Sequence, residues 1–325
     1  MNRSITKLLR FPKRVAKWRV AKLEQTPEIF SDTSGRMNDR NAFISKVRRR
    51  KQPRLAKNVQ RNPSAVTVVI PSYNAGRYLK EAVESVFAQT YKNWRMMIVD
   101  DASTDDSMAR IRKYLKDPRV SVIRNQMNIG QTKSLNVALK HVKTPFMVQL
   151  DSDDWFLPYT LETLVNQAKK VGPNVALISG NIKLVWFRKD GKQLNTLIQK
   201  GRQYSDKYQF LLSNRSCWPR FYRTAALRSV GGWPTGGPYE GRYIEDLRIL
   251  LRLIPRYKFK WMNRTLYVHR RHQRSMTHRT QEMKRTLYWL IDKTLKDWGD
   301  QYRPIYRLLK NGYPQLKSLV VKKAQ

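Results

Sequence analysis

The stretch 66-VTVVIPSYNAGRYLKEAVESVF-87 changes its hydrophobic period once, and that change decides the fold class. Val66 to Ile70 is a nearly continuous β-branched run, the pattern of a strand covered on both faces. Tyr78, Leu79, Ala82, Val83, Val86 and Phe87 then recur at helical spacing. The alternation repeats downstream. Met96 to Val99, Val120 to Ile123 and Phe146 to Leu150 read as strands. Between them, Met108, Ile111, Tyr114 and Leu115 mark one helix, and Leu135, Ala138, Leu139 and Val142 another. Strands separated by single helices predict a parallel sheet built from right-handed crossovers, an α/β fold.

Beyond residue 155 the pattern loosens. Leu161, Leu164, Val165 and Ala168 predict a helix, followed by strands over 175–179 and 182–187. Residues 190–242, rich in Gly, Pro and aromatics, read as irregular loops around a site. Met283, Leu287, Leu290, Ile291 and Leu295 predict a basic amphipathic C-terminal helix. Upstream, Ile5, Leu8, Leu9, Phe11, Val15, Trp18 and Leu23 recur at helical spacing among Lys and Arg. Such a helix lies in a membrane interface or packs on the main domain. The expected organisation is a basic extension over 1–64, a main domain over 65–275 and a basic helical extension over 276–325. The main domain divides where the alternation loosens, into halves over 65–155 and 156–275.

Charge sharpens the reading. The 325 residues carry 65 Lys+Arg against 24 Asp+Glu, a formal net charge of +41. Residues 1–64 hold 18 basic and 4 acidic residues and residues 251–325 hold 19 and 4, so the two ends supply +14 and +15 and the longer middle +12. Such a field favours an anionic membrane face or a phosphate-rich polymer. No nucleic-acid-binding module is recognisable, and basic ends alone give only salt-sensitive, non-specific affinity. Cys217 is the sole cysteine, which excludes an internal disulfide and fits a reducing compartment. No run approaches the ~20 apolar residues of a membrane span, and the N-terminus lacks an apolar signal region. The expectation is a cytoplasmic protein, peripheral at the inner face of the membrane.

Within that excess of cations, the acidic residues cluster. The second strand runs into Asp100-Asp101 and the fourth into Asp151-Ser152-Asp153-Asp154. Ligands of open α/β sheets bind beyond the carboxyl ends of the strands. Asp-x-Asp places two hard oxygen ligands close together, which suits Mg²⁺ or Mn²⁺ on a pyrophosphate. Asp is also a common turn and N-cap residue. The strand-end position and the second cluster favour the ligand reading.

These segments resemble a family. The run 70-IPSYNAGRYL-79, then 98-IVDDASTDDS-107, then 149-QLDSDDWFLP-158 are similar in order and spacing to glycosyltransferase family 2, whose members have the GT-A fold. The segment 128-NIGQTKSLNVAL-139 resembles the family's Asn-x-Gly stretch, and 230-VGGWP-234 and 244-IEDLRILLRL-253 its Gly-Gly and Glu-Asp motifs. The resemblance covers roughly residues 65–275 and leaves both basic ends outside.

The resemblance implies roles residue by residue. Pro71, Tyr73 and Asn74 match the loop beside the nucleotide base and ribose, and Asp101, next to Asp100, matches a carboxylate that contacts the base. Asp153 matches the main metal ligand, with Asp151 near ribose or metal and Ser152 and Asp154 adjacent. Asp246 matches the catalytic base that deprotonates an acceptor hydroxyl as it attacks the anomeric carbon, inverting it; Glu245 is its neighbour. Lys133 is a candidate diphosphate contact or an exposed helical Lys. The run 267-YVHRRHQRSMTH-278 resembles a donor-site segment, with Arg271 a candidate contact and His272 a candidate metal ligand or diphosphate contact. His269 reads as a bystander. Trp218 and Trp233 are candidates to stack on an acceptor sugar or simply to pack. Ala102 departs from the Gly frequent in the family.

The implied activity is transfer of a sugar from a nucleoside-diphosphate sugar, UDP-linked by family habit, to an acceptor hydroxyl on an anionic cell-wall or surface glycan, with Mn²⁺ or Mg²⁺ as cofactor. Two alternatives stand beside it. One is a nucleotidyltransferase, which Pro71-Ser72-Tyr73-Asn74 disfavours because a Gly-rich loop with Arg is expected there. The other is a catalytically inactive protein of the same fold that binds polyanions or a membrane surface.

Overall fold

The computed structural model of the protein describes residues 64–188, 191–271 and 280–322. β1 (Val66–Ser72) leads to α1 (Tyr78–Phe87), β2 (Trp94–Asp100), a short α2 (Ser107–Arg110), β3 (Val120–Arg124), α3 (Gln131–His141), β4 (Phe146–Gln149) and β5 (Trp155–Phe156). Then come α4 (Thr160–Ala168), β6 (Val175–Phe187), β7 (Gln193–Gln199), α5 (Lys207–Leu212), β8 (Arg220–Arg223) and α6 (Thr224–Ser229). α7 (Glu245–Leu253), β9 (Lys258–Arg271), α8 (Thr280–Asp297), β10 (Tyr302–Leu308) and β11 (Pro314–Val321) complete the chain. The sequence of residues 1–63, with its proposed amphipathic helix, lies outside the described residues.

The main sheet has the order β3-β2-β1-β4-β8-β6-β9-β5, with β7 added along β6. From β3 to β4 every pair is parallel, as the strand–helix alternation demands. β8 inserts antiparallel between β4 and β6, and β6 and β9 are again parallel. The chain thus adopts the expected α/β fold, a central sheet flanked by helices. Alternate strand residues feed two cores. Val69, Val99 and Met147 face α3, α6, α7 and α8, whereas Val68, Ile70, Met96 and Val148 face α1 and α4. Burial on both faces is why these strands read as continuous apolar runs.

Four expectations are corrected. The helix over 108–115 is only α2 and a separate 3₁₀ turn at Tyr114–Lys116, and that turn stops where Pro118 holds Asp117 extended. The two strands over 175–179 and 182–187 are one strand, β6. Gly180 looked like a break, yet it marks a close approach: a Cβ there would lie 2.5 Å from the Arg264 carbonyl oxygen of β9. Residues 190–242 carry β7, α5, β8 and α6 as well as loops, and their aromatics (Tyr204, Phe210, Tyr222, Trp233) fill the core. The C-terminal segment is helical only to Asp297. It ends in the β10–β11 hairpin, and Leu287, Leu290, Ile291, Leu295 and Leu316 are buried in the same core cluster as α3 and α7. No described helix is long and apolar enough to cross a membrane.

Candidate active site

The loops after β1 and β2 are stapled together. Asn74, at φ +47°, accepts through Oδ1 from the amides of Thr104 (2.8 Å) and Asp105 (3.3 Å), while its own amide donates to Ser103 Oγ. Gly76 N donates to Asp105 Oδ2 at 2.8 Å. Asn74 therefore shapes this loop pair, and Tyr73 beside it is half exposed. Pro71 is buried within β1, opposite Val99 of β2. Ala102 sits at φ +62°, the left-handed conformation in which Gly carries no steric cost.

Asp101 is almost wholly buried. It accepts from Asn125 Nδ2 (2.8 Å), Ile129 N (2.9 Å) and Gly130 N (2.8 Å), which hangs the turn before α3 on the end of β2. A carboxylate offers about four lone-pair sites, so one remains. Asp100 accepts from Ser103 N through Oδ1. Its buried Oδ2 has no hydrogen-bond partner among the described residues and lies 3.4 Å from Arg124 Nε.

At the end of β4 the acidic cluster divides by environment. Asp151 Oδ1 accepts from Gln149 (2.9 Å) and Gln131 (3.2 Å), and Oδ2 takes a 2.6 Å ion pair from Arg220 Nη2. Burial pushes the Asp151 pKa up, but the Arg220 guanidinium and the Gln149 amide outweigh it and hold the carboxyl below its usual range. Asp151, expected near ribose or metal, is thus engaged by Arg220, Gln149 and Gln131 while its side chain stays partly exposed. Asp154 is buried and accepts from Tyr267 OH (2.8 Å), His269 Nδ1 (3.0 Å) and Arg270 N (2.7 Å), with burial lifting its pKa to about 6. Ser152 and Asp153 are partly exposed.

The Glu-Asp motif meets this cluster through one side chain. Arg220, 2% exposed on β8, places Nη1 3.5 Å from Asp246 Oδ2 while Nη2 holds Asp151. Asp246 opens α7, with Oδ1 accepting from Leu247 N at 2.7 Å. Burial and the neighbouring Asp246 charge raise the pKa of Glu245. Ile244, immediately before, is left-handed at φ +59°, an outlier for a β-branched residue of the kind found at functional sites. The Trp218 ring lies over Arg220 at 5.4 Å.

Other expected residues fall elsewhere. Lys133 pairs with Glu240 at 2.5 Å, tying α3 to the loop before α7. Trp233 is 1% exposed and edge-on to Tyr222, a core residue that cannot stack on an acceptor. Arg271 ends β9, partly exposed, and His272 lies outside the described residues. Sequence reasoning missed Arg220, Tyr267 and His269. The last two are an i, i+2 pair on one face of β9, a signal readable once 258–271 is taken as a strand. Nothing near Arg220 announced it.

Among the described residues no group of three or more His, Cys, Asp or Glu side chains could enclose a metal. A cation riding on a diphosphate needs less, since Mg²⁺ commonly takes one or two carboxylates and fills its shell with phosphate and water oxygens. Asp153 fits that requirement.

Residues 67–231 match the family model described as glycosyl transferase family 2. The chain belongs to that family. A family 2 reading agrees with the relatives. The chain is 31% identical over 120 residues to the Escherichia coli protein UDP-Glc:alpha-D-GlcNAc-diphosphoundecaprenol beta-1,3-glucosyltransferase WfgD, covering 37% of this chain and 46% of that one, under half its length. In structure it resembles S. aureus TarS 1–349 in complex with UDP-GlcNAc, at TM-score 0.56 and 19% identity, covering 71% of this chain and 66% of that one. It also resembles the mannosyltransferase PcManGT from Pyrobaculum calidifontis in complex with GDP-Man and Mn²⁺, at TM-score 0.53 and 18% identity, covering 73% and 65%. At such identities the likeness concerns the fold, which is that of GT-A glycosyltransferases.

Proposed function

We propose that this family 2 protein is an inverting, metal-assisted glycosyltransferase. It moves a sugar from a nucleoside-diphosphate sugar, UDP-linked, to a hydroxyl of an anionic cell-wall or surface glycan. The observation that carries the reading is the junction at Arg220, where the acidic cluster ending β4 and the carboxylate opening α7 meet in one place. A donor held at the first puts its anomeric carbon within reach of a base at the second.

In this scheme the base crosses the loop pair after β1 and β2 beside Tyr73, and the remaining lone pair of Asp101 takes an N–H of the ring. Asp153 is the residue that would hold Mn²⁺ or Mg²⁺, and such a cation, when bound, neutralises the diphosphate leaving group. Asp246 accepts the proton of the acceptor hydroxyl as its oxygen attacks from the face opposite the diphosphate. Burial raises the pKa of Glu245, and Arg220 sets its positive charge 3.5 Å from Asp246. The net charge of +41 supports an anionic acceptor and a peripheral position on an anionic membrane face.

The test is release of free nucleoside diphosphate from a panel of nucleotide sugars with Mn²⁺, Mg²⁺ or EDTA. Metal-dependent release from one donor is expected, reduced about 100-fold or more by Asp246→Asn and lost with Asp153→Ala. Silence of the panel, together with silence in calorimetry against the nucleotides and metal, would overturn the assignment in favour of an inactive binding protein.

A further inference from the structure

α7 separates two environments. Asp246 faces the acidic cluster, whereas Arg248, two residues on and so about 200° round the helix, faces a cleft between α7 and α8. The cleft has a volume of about 680 Å³, within the range of small-molecule sites. Leu251, Trp289 and Trp298 give it apolar walls, and Arg252 and Arg256 reach it from the end of α7.

The charges there are unbalanced. Lys293 and Asp297, also lining the cleft, neutralise one another at 2.9 Å. Arg248 spends its donors on the carbonyls of Gly236 (2.7 Å), Pro238 (3.2 Å) and Tyr243 (3.0 Å). Arg252 makes no hydrogen bond or ion pair among the described residues, and Arg256 makes one, to the Ser229 carbonyl at 3.3 Å. Both are exposed. Basic residues at a helix C-terminus gain from its dipole, but among the described residues neither guanidinium meets an acidic partner. Two adjacent guanidinium forks suit one oxyanion held bidentately. A second copy of this chain, itself +41, is the wrong sign to cover them.

We propose that this cleft binds an anionic amphiphile, its phosphate head on Arg252 and Arg256 and its hydrocarbon body against Trp289 and Trp298. The site lies on the face of α7 away from Asp246, so it is separate from the donor site and does not rest on the reaction proposed above. It is linked to the loop before α7. The Trp289 ring covers Arg248 at 5.0 Å, and a Cβ on Gly237 would run into that ring. The loop it braces holds Gly237, Tyr239, Glu240, Gly241 and Ile244 at positive φ. Strained backbone of this kind persists only where its surroundings over-determine it, so a ligand packed on Trp289 tightens the loop.

The experiment titrates the full chain with monomeric dihexanoyl phosphatidic acid, following tryptophan fluorescence, against dihexanoyl phosphatidylcholine and inorganic phosphate. Saturable binding of the phosphatidic acid is expected, about tenfold or more tighter than either comparison ligand and weakened about tenfold or more by Arg252→Ala with Arg256→Ala. Both arginines are exposed, so this variant keeps its fold, which circular dichroism checks. Hydrogen exchange over 236–244 should slow on binding in wild type only. Equal binding by the double variant, equal binding of inorganic phosphate, or no binding would overturn the proposal. So would a dimer, seen by sedimentation, that the double variant breaks.

Discussion

Arg220 Nη2 lies 2.6 Å from Oδ2 of Asp151, a residue 69 positions earlier in the chain. The same guanidinium reaches Asp246 with its other terminal nitrogen. One cation therefore bridges two carboxylates that arrive from distant parts of the chain. Removing one partner of a buried pair leaves an uncompensated charge, which costs roughly 3–5 kcal/mol. Arg220→Ala should lose about that much in urea denaturation. Arg220→Lys, which keeps one charge but not the fork, should lose less and should recover only part of any transferase activity.

Asn136 on α3 clamps both backbone groups of Trp233, next to the Gly-Gly pair. Its Nδ2 donates to the Trp233 carbonyl and its Oδ1 accepts from the Trp233 amide, both at 2.8 Å. Gly232, at φ +71°, is glycine for the same reason, since a Cβ there would lie 2.5 Å from Asn136 Oδ1. Asn136→Ala orphans two backbone groups, each costing about 1–3 kcal/mol. A loss of roughly 2–4 kcal/mol in chemical denaturation is expected, and a loss below about 0.5 kcal/mol would contradict the clamp.

Ala102 pays a conformational cost at φ +62°, about 1–2 kcal/mol for a left-handed L-residue. Gly removes the strain but adds about 0.4–1 kcal/mol of unfolded-chain entropy. Ala102→Gly should therefore leave the protein equally stable or stabilise it by about 0.5 kcal/mol. The same substitution in a regular element destabilises by roughly 0.5–1 kcal/mol. A thermal melt with the sign reversed would show the backbone is not strained here.

Cys217 is buried, and burial, aided by the Asp246 charge, pushes its thiol up to about 12. At pH 8 only about 1 thiol in 10⁴ is ionised, and the thiolate is the reactive form. Native protein should resist a disulfide-exchange reagent at pH 8 and react in guanidinium. The folded state binds this proton more tightly than the unfolded chain, so its contribution to stability is whole below about pH 9 and falls as pH rises towards 12.

What the sequence by itself determined was local. The period change after Ile70, the repeated strand–helix alternation and the carboxylates at strand ends are near-neighbour patterns, and they yielded the class, the parallel half and the two acidic motifs. Sequence also located the Glu-Asp motif, though not what it faces. Tertiary structure decided the rest. Gly180 belongs inside a strand because β9 passes against it, and β8 enters the sheet between β4 and β6 by pairing with strands distant in sequence. Asp151, Asp153 and Asp154 share a motif but not an environment. Arg220 arrives from β8 to pair with Asp151, and Tyr267 and His269 arrive from β9 to bury Asp154, while Asp151 and Asp153 stay partly exposed. Hydrophobic period is set by backbone geometry within a few residues. The partner of a buried charge is set by which strands the closed sheet brings together, and no spacing along the chain encodes that.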